Sequence, residues 1–261
     1  MKRIIYQVDA FASEVFKGNP AVVCILDQWL DAPPMQQIAN ENNLSETAFA
    51  VPVGECYEIR WFTPEVEVEL CGHATLATAH VLFEHMDYAG DWICFESIHS
   101  GRLVVKRSGD LLTLDFPVDI CEEMVVPELI VTALQTPPLK AFRCKTDFMF
   151  VYASAAEIEN MEPDFGLLAQ MGGRGIIVTA PGNDVDFVSR FFAPQTGVNE
   201  DPVTGSAHTS LTPYWSKILG KKQLTARQLS ARGGELICEH KGERVEISGH
   251  AVTYMKGKIR I

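Results

Sequence analysis

The amino-acid sequence predicts an α+β protein built as two similar lobes, each a curved mixed β-sheet or barrel around one central helix. Short strand-like runs dominate both halves of the chain. Residues 74–86 have a helical pattern that is apolar on nearly all sides, which is typical of a helix buried inside sheet rather than of a surface helix. A motif near residue 60 recurs near residue 190, so we expect both halves to follow one plan.

The recurrence gives a register for the repeat. Arg-Trp-Phe-Thr-Pro at 60–64 lies over Arg-Phe-Phe-Ala-Pro at 190–194, and the same offset places Cys71 over Asp201. After a three-residue insertion, Gly-His-Ala at 72–74 lies over Gly-Ser-Ala at 205–207, and a helical pattern follows both turns. A chance match of two strand-turn-helix patterns is the competing interpretation. The order of elements around the match favours duplication.

Duplication predicts lobes at 1–117 and 118–261, related by a pseudo-twofold axis, with Cys71 and Asp201 on opposite sides of one cleft. In the first lobe, Ser-Gly-Asp at 108–110 predicts a hairpin turn between the last two strands. We expect strands at 4–8, 21–26, 46–51, 57–62, 92–98, 102–106 and 111–116, and helices at 34–42 and 74–86.

The second lobe repeats the pattern of strands and helices. Met-Gly-Gly-Arg-Gly at 171–175 is interpreted as a loop that enters a strand, and Pro213 should kink the last helix. We expect strands at 148–153, 175–180, 186–192, 235–239, 244–247 and 251–254, and helices at 127–134, 155–160, 164–170 and 206–219.

Charge and composition exclude several classes of function. The chain carries 34 acidic against 22 basic residues, a net charge of -12, so phosphate backbones and anionic lipid would repel it. The amino terminus reaches Gln7 and Asp9 too early for a secretory signal, and no apolar run approaches the roughly 18 residues of a membrane span. We therefore expect a cytoplasmic protein that binds neither nucleic acid nor membrane. Seven scattered cysteines without a C-x-x-C pair are expected to be reduced thiols.

Each repeated turn delivers a glycine and then a helix, which leaves backbone N–H groups unpaired at the helix start. Two such ends facing one cleft would bind a carboxylate without a basic side chain. The candidate binding residues are Gly72, Gly205 and Ser206. Taken singly, a capping role for Thr204 or Ser206 and a tight-turn role for Gly72 are the competing interpretations.

Glu46 begins an apolar strand and shares a face with Ala48 and Ala50, whose small side chains leave room for a ligand. A partly desolvated carboxyl suits an acid/base group, although an exposed glutamate at a strand end is the commoner situation. His73 either forms a hydrogen bond at the site or caps the helix. No metal or nucleotide motif is present, so we predict neither a metal nor a cofactor.

Taken together, these segments resemble the PhzF-like proteins of phenazine biosynthesis, which share the two-lobed fold of diaminopimelate epimerase. The resemblance runs the length of the chain. It is carried by Val-Asp-Ala-Phe at 8–11, Gly-Asn-Pro at 18–20, Ser-Glu-Thr-Ala-Phe at 45–49, Glu-Leu-Cys-Gly-His-Ala-Thr at 69–75, Glu-Asp-Pro-Val-Thr-Gly-Ser-Ala at 200–207 and Ser-Gly-His-Ala-Val at 248–252.

The resemblance implies a cofactor-independent isomerase in which one carboxylate moves a proton on a small carboxylic acid that is cyclic in the phenazine enzyme. It implies catalytic roles for Glu46, His73 and Asp201. It also implies a substrate cradle and a homodimer, the cradle comprising Gly72, Gly205, Ser206, Cys71 and Asn19. The epimerases face two thiols across the cleft, whereas this chain offers Cys71 and Asp201, which excludes a two-thiol racemase.

Two other classes of function stay open. Cys71 with His73 as base would make a thiol hydrolase or transferase, but two residues apart on a turn the side chains should point in different directions. A carboxylate-binding protein without catalysis is the third class, and the joint presence of Glu46, His73 and Asp201 argues against it.

Overall fold

Tertiary contacts divide the chain into two units in the computed structural model, which describes residues 2–261. The first unit runs up to Asp115 and includes Ser248–Ile261, and the second is Phe116–Ile247. Both combine mixed sheet with few helices, which confirms the predicted α+β class.

The elements of the first unit match the predicted ones, with a two-residue strand, β5, in addition. Its strands and helices are β1 (Lys2–Ala10), β2 (Asn19–Ile25), α1 (Ala32–Asn42), β3 (Glu46–Val53), β4 (Cys56–Phe62), β5 (Glu67–Val68), α2 (Gly72–His85), β6 (Trp92–Ser97), β7 (Gly101–Ser108), β8 (Leu111–Pro117) and β18 (Ala251–Arg260). The sheet order is β18-β1-β2-β3-β4-β6-β7-β8, with β5 beside the end of β4.

The carboxyl-terminal segment differs from its predicted place. The expected second lobe, 118–261, included it, whereas residues 248–261 belong to the first unit. The reason is β18, which pairs antiparallel with β1 from Lys2↔Arg260 to Ala10↔Ala251. Such long-range pairing leaves no local signal in the sequence.

The second unit contains three short strands, β9, β10 and β14, and the longer β15, none of which the alternation pattern predicts. Its elements are β9 (Glu122–Met124), α3 (Glu128–Leu134), β10 (Lys140–Arg143), β11 (Asp147–Val151), α4 (Ala155–Glu159), α5 (Phe165–Leu168), β12 (Gly175–Pro181), β13 (Phe187–Ala193), β14 (Val198–Glu200), α6 (His208–Leu219), β15 (Gln223–Gln228), β16 (Gly234–His240) and β17 (Arg244–Gly249). Its sheet order is β9-β10-β11-β12-β13-β15-β16, with β14 beside β13.

The two units share one topology, which confirms the predicted duplication. From β1 to β7, successive neighbours in the sheet are antiparallel, parallel, antiparallel, parallel and antiparallel. From β10 to β16 the sequence of directions is the same. In each unit the longer central helix, α2 or α6, follows the short strand β5 or β14.

The register of the repeat differs from the predicted one. Phe62 pairs with Glu67 across the first hairpin, and Phe192 pairs with Glu200 across the second. The three extra residues therefore lie in the second hairpin turn, before Glu200, and the later segments match at an offset of 133. Cys71 then corresponds to Thr204, and the expected match of Cys71 with Asp201 is wrong.

The two units also share an equivalent ion pair. Arg60 donates to both carboxylate oxygens of Glu67, at 2.7 and 2.6 Å. Arg190 makes the same two-pronged contact with Glu200, at 2.7 and 3.0 Å. Both guanidinium groups also lie over the phenylalanine two residues later. The same side-chain device holds the same hairpin in both units.

Helix α2 is buried along most of its length, from His73 to Phe83, as its apolar composition predicts. Helix α6 continues through Pro213 without a break. A proline at this position cannot bond to the Thr209 carbonyl one turn earlier. The amide of Asp119 donates to that carbonyl instead, at 3.2 Å, which satisfies the group and permits an unbroken helix.

Four of the seven cysteines are paired, so the prediction that all are reduced thiols is wrong. Cys56 on β4 is bonded to Cys94 on the neighbouring β6. Cys121 and Cys144 flank the paired strands β9 and β10 and are bonded to each other. Adjacent strands bring each pair together, which sequence spacing does not reveal. Cys24, Cys71 and Cys238 are free and buried.

Over residues 2–261, every helix is either too short or too polar to traverse a lipid bilayer.

Candidate active site

Glu46 occupies the first position of β3, where the strand leaves the loop that follows α1. Its neighbour across the parallel ladder is Ala21, and Ala48 on the same strand is fully buried. The glutamate side chain retains 18% exposure. The carboxylate thus lies beside small apolar side chains and stays partly exposed. The alternation of β3 predicts these small neighbours.

His73, the second residue of α2, faces this carboxylate. Its Nε2 lies 3.0 Å from Oε2 of Glu46, within ion-pair distance, although the N–H bond is not aligned with that oxygen as in a regular hydrogen bond. The imidazole is 7% exposed. His73 therefore forms one side-chain cluster with Glu46, and the capping role considered for it does not describe its contacts.

Asn19 fixes the other side of the ring, because its side-chain nitrogen lies 3.2 Å from Nδ1 of His73. If this amide donates to Nδ1 of a neutral imidazole, the ring proton sits on Nε2. In the charged imidazolium both nitrogens are protonated, and Nδ1 then donates to the Asn19 amide oxygen once that amide is turned over. In either state a proton on Nε2 is directed to the side of the ring that Glu46 occupies.

The charge on His73 reflects two opposing effects. Burial lowers the pKa of the imidazole, but Cys71 and the carboxylate of Glu46 outweigh it and raise the pKa of His73 well above its usual range. Burial also raises the pKa of the Cys71 thiol to about 11, with a further contribution from Glu46. Since the thiol is protonated near neutral pH, Glu46 is the anion that stabilises the imidazolium there.

Cys71 lies against His73, with Sγ 3.5 Å from Nδ1. The prediction that the two side chains point in different directions is wrong. Cys71 has an extended backbone just before α2, which lets its side chain turn back over the first turn of the helix. Cys71 is buried, with 7% exposure, and its raised pKa keeps the thiol neutral near pH 7.

The first unit thus brings together five of the predicted site residues: Asn19, Glu46, Cys71, Gly72 and His73. Cys71 precedes α2 without a regular side-chain cap hydrogen bond to its first turn. Glu46, Cys71 and His73 also place one potential ligand atom each within 4.8 Å of one another. Their oxygen, sulfur and nitrogen donors are a set that zinc accepts, and the absence of a metal stays a prediction.

The second unit holds the other three: Asp201, Gly205 and Ser206. Oδ2 of Asp201 accepts a hydrogen bond from the Thr204 hydroxyl at 2.5 Å. Thr204 therefore uses its hydroxyl within the turn and does not cap the helix that follows. Gly205 and Ser206 lie in a 3-10 turn, Gly205–Ala207, that leads directly into α6.

Gln228, at the end of β15, holds this turn from behind. The fully buried amide accepts from the Thr204 backbone N–H at 2.9 Å and donates to the Asp201 carbonyl at 2.8 Å. Its NH₂ group also lies 3.2 Å from the Thr204 hydroxyl. One side chain thereby fixes the backbone at both ends of the Asp201–Thr204 turn.

Arg174 is the residue that sequence reasoning missed. It donates from Nη1 to the hydroxyl of Ser206 at 2.9 Å and pairs through Nε and Nη2 with both oxygens of the buried Asp147. Burial opposes the charge, yet Asp147 keeps the pKa of the guanidinium above its ordinary value. The loop at 171–175 does enter a strand, as predicted, but no motif signals a contact between residues 32 positions apart.

Comparisons with known proteins identify the family of the chain. Residues 8–257 match the family model described as phenazine biosynthesis-like protein, PhzC-PhzF. A Pseudomonas aeruginosa protein named as an uncharacterized isomerase is 53% identical over 261 residues, the full length of both chains. The human phenazine biosynthesis-like domain-containing protein is 39% identical, with 99% of each chain covered.

Solved structures show the same fold. The crystal structure of a PhzF family protein from Enterococcus faecalis covers all of both chains with a TM-score of 0.98 and 48% identity. A hydroxyproline epimerase from Agrobacterium vitis covers 99% of this chain and 92% of its own at a TM-score of 0.65 and 9% identity, a likeness of fold alone. The chain therefore belongs to the phenazine biosynthesis-like (PhzC-PhzF) family, and the names of its relatives identify its class of enzyme as an isomerase.

Proposed function

We propose that the protein moves a proton between two carbons of a small carboxylic acid, with Glu46 as its single acid/base and without a cofactor. The observation that carries this proposal is the contact between Glu46 and His73 at 3.0 Å. A carboxylate held beside a buried imidazole, with part of its surface open, is equipped to take a proton and to return it.

The proton transfer balances within one carboxyl group. Ionised Glu46 removes a proton from carbon, and the electron pair left behind shifts through the conjugated system of the substrate. The resulting carboxylic acid, which is 18% exposed and can exchange its proton with solvent, then delivers a proton to a second carbon. The Nε2 proton of His73 stabilises negative charge on Glu46 before and after the transfer.

Three residues of the second unit complete the proposed assignment. Asp201 is proposed to assist the transfer, and Gly205 and Ser206 are proposed to contact the substrate. Their support is the turn geometry, which keeps the hydroxyl of Thr204 on Asp201 and leaves the helix start without a side-chain cap. In the first unit, Gly72, Cys71 and Asn19 are proposed to line the site around His73.

The second candidate is a thiol enzyme, which the 3.5 Å contact between Cys71 and His73 favours. Its difficulty is the pKa of about 11 for the Cys71 thiol. Near neutral pH only about one molecule in 10⁴ would carry the nucleophilic thiolate. The register found above gives Thr204 as the counterpart of Cys71, so a two-thiol mechanism has no second thiol in either assignment.

Deuterium exchange tests the proposal. Small cyclic and amino carboxylic acids are incubated with the enzyme in deuterated water, and mass spectrometry identifies those that gain deuterium. For a compound found this way, Glu46→Gln should lower turnover and exchange by roughly 10²- to 10⁴-fold. The exposed Glu41→Gln is the matched control and should retain activity. Full exchange by Glu46→Gln would refute the assignment.

A cytoplasmic location and a homodimeric state remain predictions from the sequence and from the family resemblance. Sedimentation of the purified protein tests the second: a mass near twice 28.9 kDa is expected.

A further inference from the structure

The corresponding strands β3 and β12 begin next to opposite charges, a carboxylate on β3 and a guanidinium just before β12. The ladder pairs Thr47 of β3 with Phe62, and it pairs Ile176 of β12 with Phe192. Because Phe62 and Phe192 correspond, the start of β3 corresponds to the start of β12. Glu46 thus has Gly175 as its counterpart, and Arg174 lies one residue earlier.

The partners of these charges also correspond. At the offset of 133 that the hairpins define, His73 of the first unit matches Ser206 of the second. In the first unit a carboxylate at the start of β3 contacts residue 73. In the second, a guanidinium before the start of β12 contacts residue 206. The start of one strand thus places a carboxylate against residue 73 in the first unit, and the residue just before the corresponding strand places a cation against residue 206 in the second.

Arg174 is held through both its side chain and its backbone. Asp147, at the start of β11 and 3% exposed, receives two parallel hydrogen bonds from Nε and Nη2. The Arg174 backbone N–H donates to the Thr146 carbonyl at 2.7 Å. Its carbonyl accepts from Gln195 at 2.7 Å. The Arg174 side chain is still 39% exposed, so the group is rigid and accessible at once.

This contact decides which way the Ser206 hydroxyl can act. A serine hydroxyl has one proton and two lone pairs. Arg174 donates to the oxygen, which occupies a lone pair and leaves the proton to be given to another acceptor. An adjacent cation also strengthens the hydroxyl as a donor and favours an anionic acceptor. A carboxylate oxygen meets both requirements.

We infer that Arg174, anchored by Asp147, is a positioning residue that orients the Ser206 hydroxyl as a hydrogen-bond donor to the carboxylate of the ligand. The inference rests on the proposed function in one respect, the role of Ser206 as a substrate contact. It goes beyond that proposal in two respects. The ligand carboxylate is bound by the Ser206 hydroxyl as well as by backbone N–H groups, and Arg174 sets the direction of that hydroxyl.

The test measures binding of benzoate, with uncharged benzamide as its comparison, by titration calorimetry on the full-length protein. Ser206→Ala and Arg174→Gln should each weaken benzoate binding about tenfold or more, since a charge-assisted hydrogen bond is lost. The double variant should bind no more weakly than the poorer single variant, because the two residues act as a unit. Benzamide affinity should change little in all three.

Two further variants separate positioning from folding. Arg174→Lys keeps the charge but cannot pair with both oxygens of Asp147 and donate to Ser206, so it should bind benzoate with intermediate affinity. Arg143→Gln removes an exposed arginine of the same unit and should bind like the wild type. Thermal unfolding of each variant shows whether it is folded.

Each alternative outcome has a definite meaning. Benzoate binding that depends on Ser206 but not on Arg174, or two losses that add independently, overturns the inference alone. Binding that is indifferent to both residues, or absent in the wild type, overturns it together with the substrate role of Ser206. The role of Glu46 is tested separately by deuterium exchange, so failure of one does not imply failure of the other.

Discussion

Nε2 of His73 lies 3.0 Å from Oε2 of Glu46, although the two residues belong to different elements, the start of α2 and the start of β3. Both side chains are largely buried, with 7% and 18% exposure, so water competes only weakly for either charge. A buried pair of this kind makes the protonation of one member depend on the presence of the other. The first prediction follows from this dependence.

Stability should fall with rising pH through titration of His73. Its pKa is raised well above 6.5 in the folded state, so the folded protein binds more protons than the unfolded chain at intermediate pH. The stabilisation is complete below pH 6.5 and is lost as pH rises through the raised pKa. The free energy of unfolding should drop by up to about 1.4 kcal/mol per pH unit in that window.

Urea unfolding of the wild type and of His73→Gln, from pH 6 to pH 9, measures this contribution. The variant should show a flatter profile over the window. A wild-type profile parallel to that of His73→Gln would show that the imidazole does not gain a proton on folding.

Replacing Cys71 by Ala should reduce turnover less than tenfold, because a thiol with a pKa of about 11 is not the reacting group near neutral pH. Alkylation by iodoacetamide should be slow at pH 7 and accelerate above pH 10. Cys24→Ala provides the matched control, since burial also raises the pKa of that thiol to about 11. An inactive Cys71→Ala beside an active Glu46→Gln would establish the thiol mechanism instead.

Gln228→Leu should destabilise the protein by about 2–3 kcal/mol and lower its activity. The substitution removes the hydrogen bonds that hold the Asp201–Thr204 turn and leaves the buried Thr204 N–H without its acceptor. Urea unfolding and substrate turnover measure the two effects. Gln223→Leu, on the exposed face of the same strand, should change stability by no more than about 0.5 kcal/mol. Equal effects of the two substitutions would contradict the positioning role.

Acid should destabilise the second unit through His208. Burial lowers the pKa of this histidine to about 4, opposed by a hydrogen bond to the Thr204 carbonyl. The unfolded chain therefore binds more protons between pH 4 and 6.5, and stability falls as pH decreases through that range. The wild type should lose roughly 3 kcal/mol more than His208→Phe between pH 6.5 and 4. Parallel losses in urea unfolding would exclude His208 as the cause.

Sequence patterns predicted the long, strongly patterned elements. The all-apolar helix at 74–86 and the alternating strand at 46–51 agree with α2 and β3 to within two residues at every boundary. Strand β10, Lys140–Arg143, is short and half polar, and it exists because β9 and β11 pair with it on both sides. Alternation of apolar and polar residues within β10 does not reveal this pairing with its neighbours.

The candidate site shows the same division between local and long-range information. Glu46 and His73 were found because each sits in a recognisable motif. The contact of Arg174 with Ser206 has no such motif, because the two residues are 32 positions apart in the chain and meet only in the fold. The match of Cys71 to Thr204 was missed because the inserted residues lie inside a hairpin turn, where sequence carries little register information.

The pairing of β18 with β1 also fixes an order of events during synthesis. The second unit is one continuous stretch, Phe116–Ile247, whereas the first needs residues from both ends of the chain. A nascent chain that has emerged as far as Ile247 contains every residue of the second unit. Its β1, however, has only β2 as a neighbour and presents an open edge until Ala251–Arg260 leaves the ribosome.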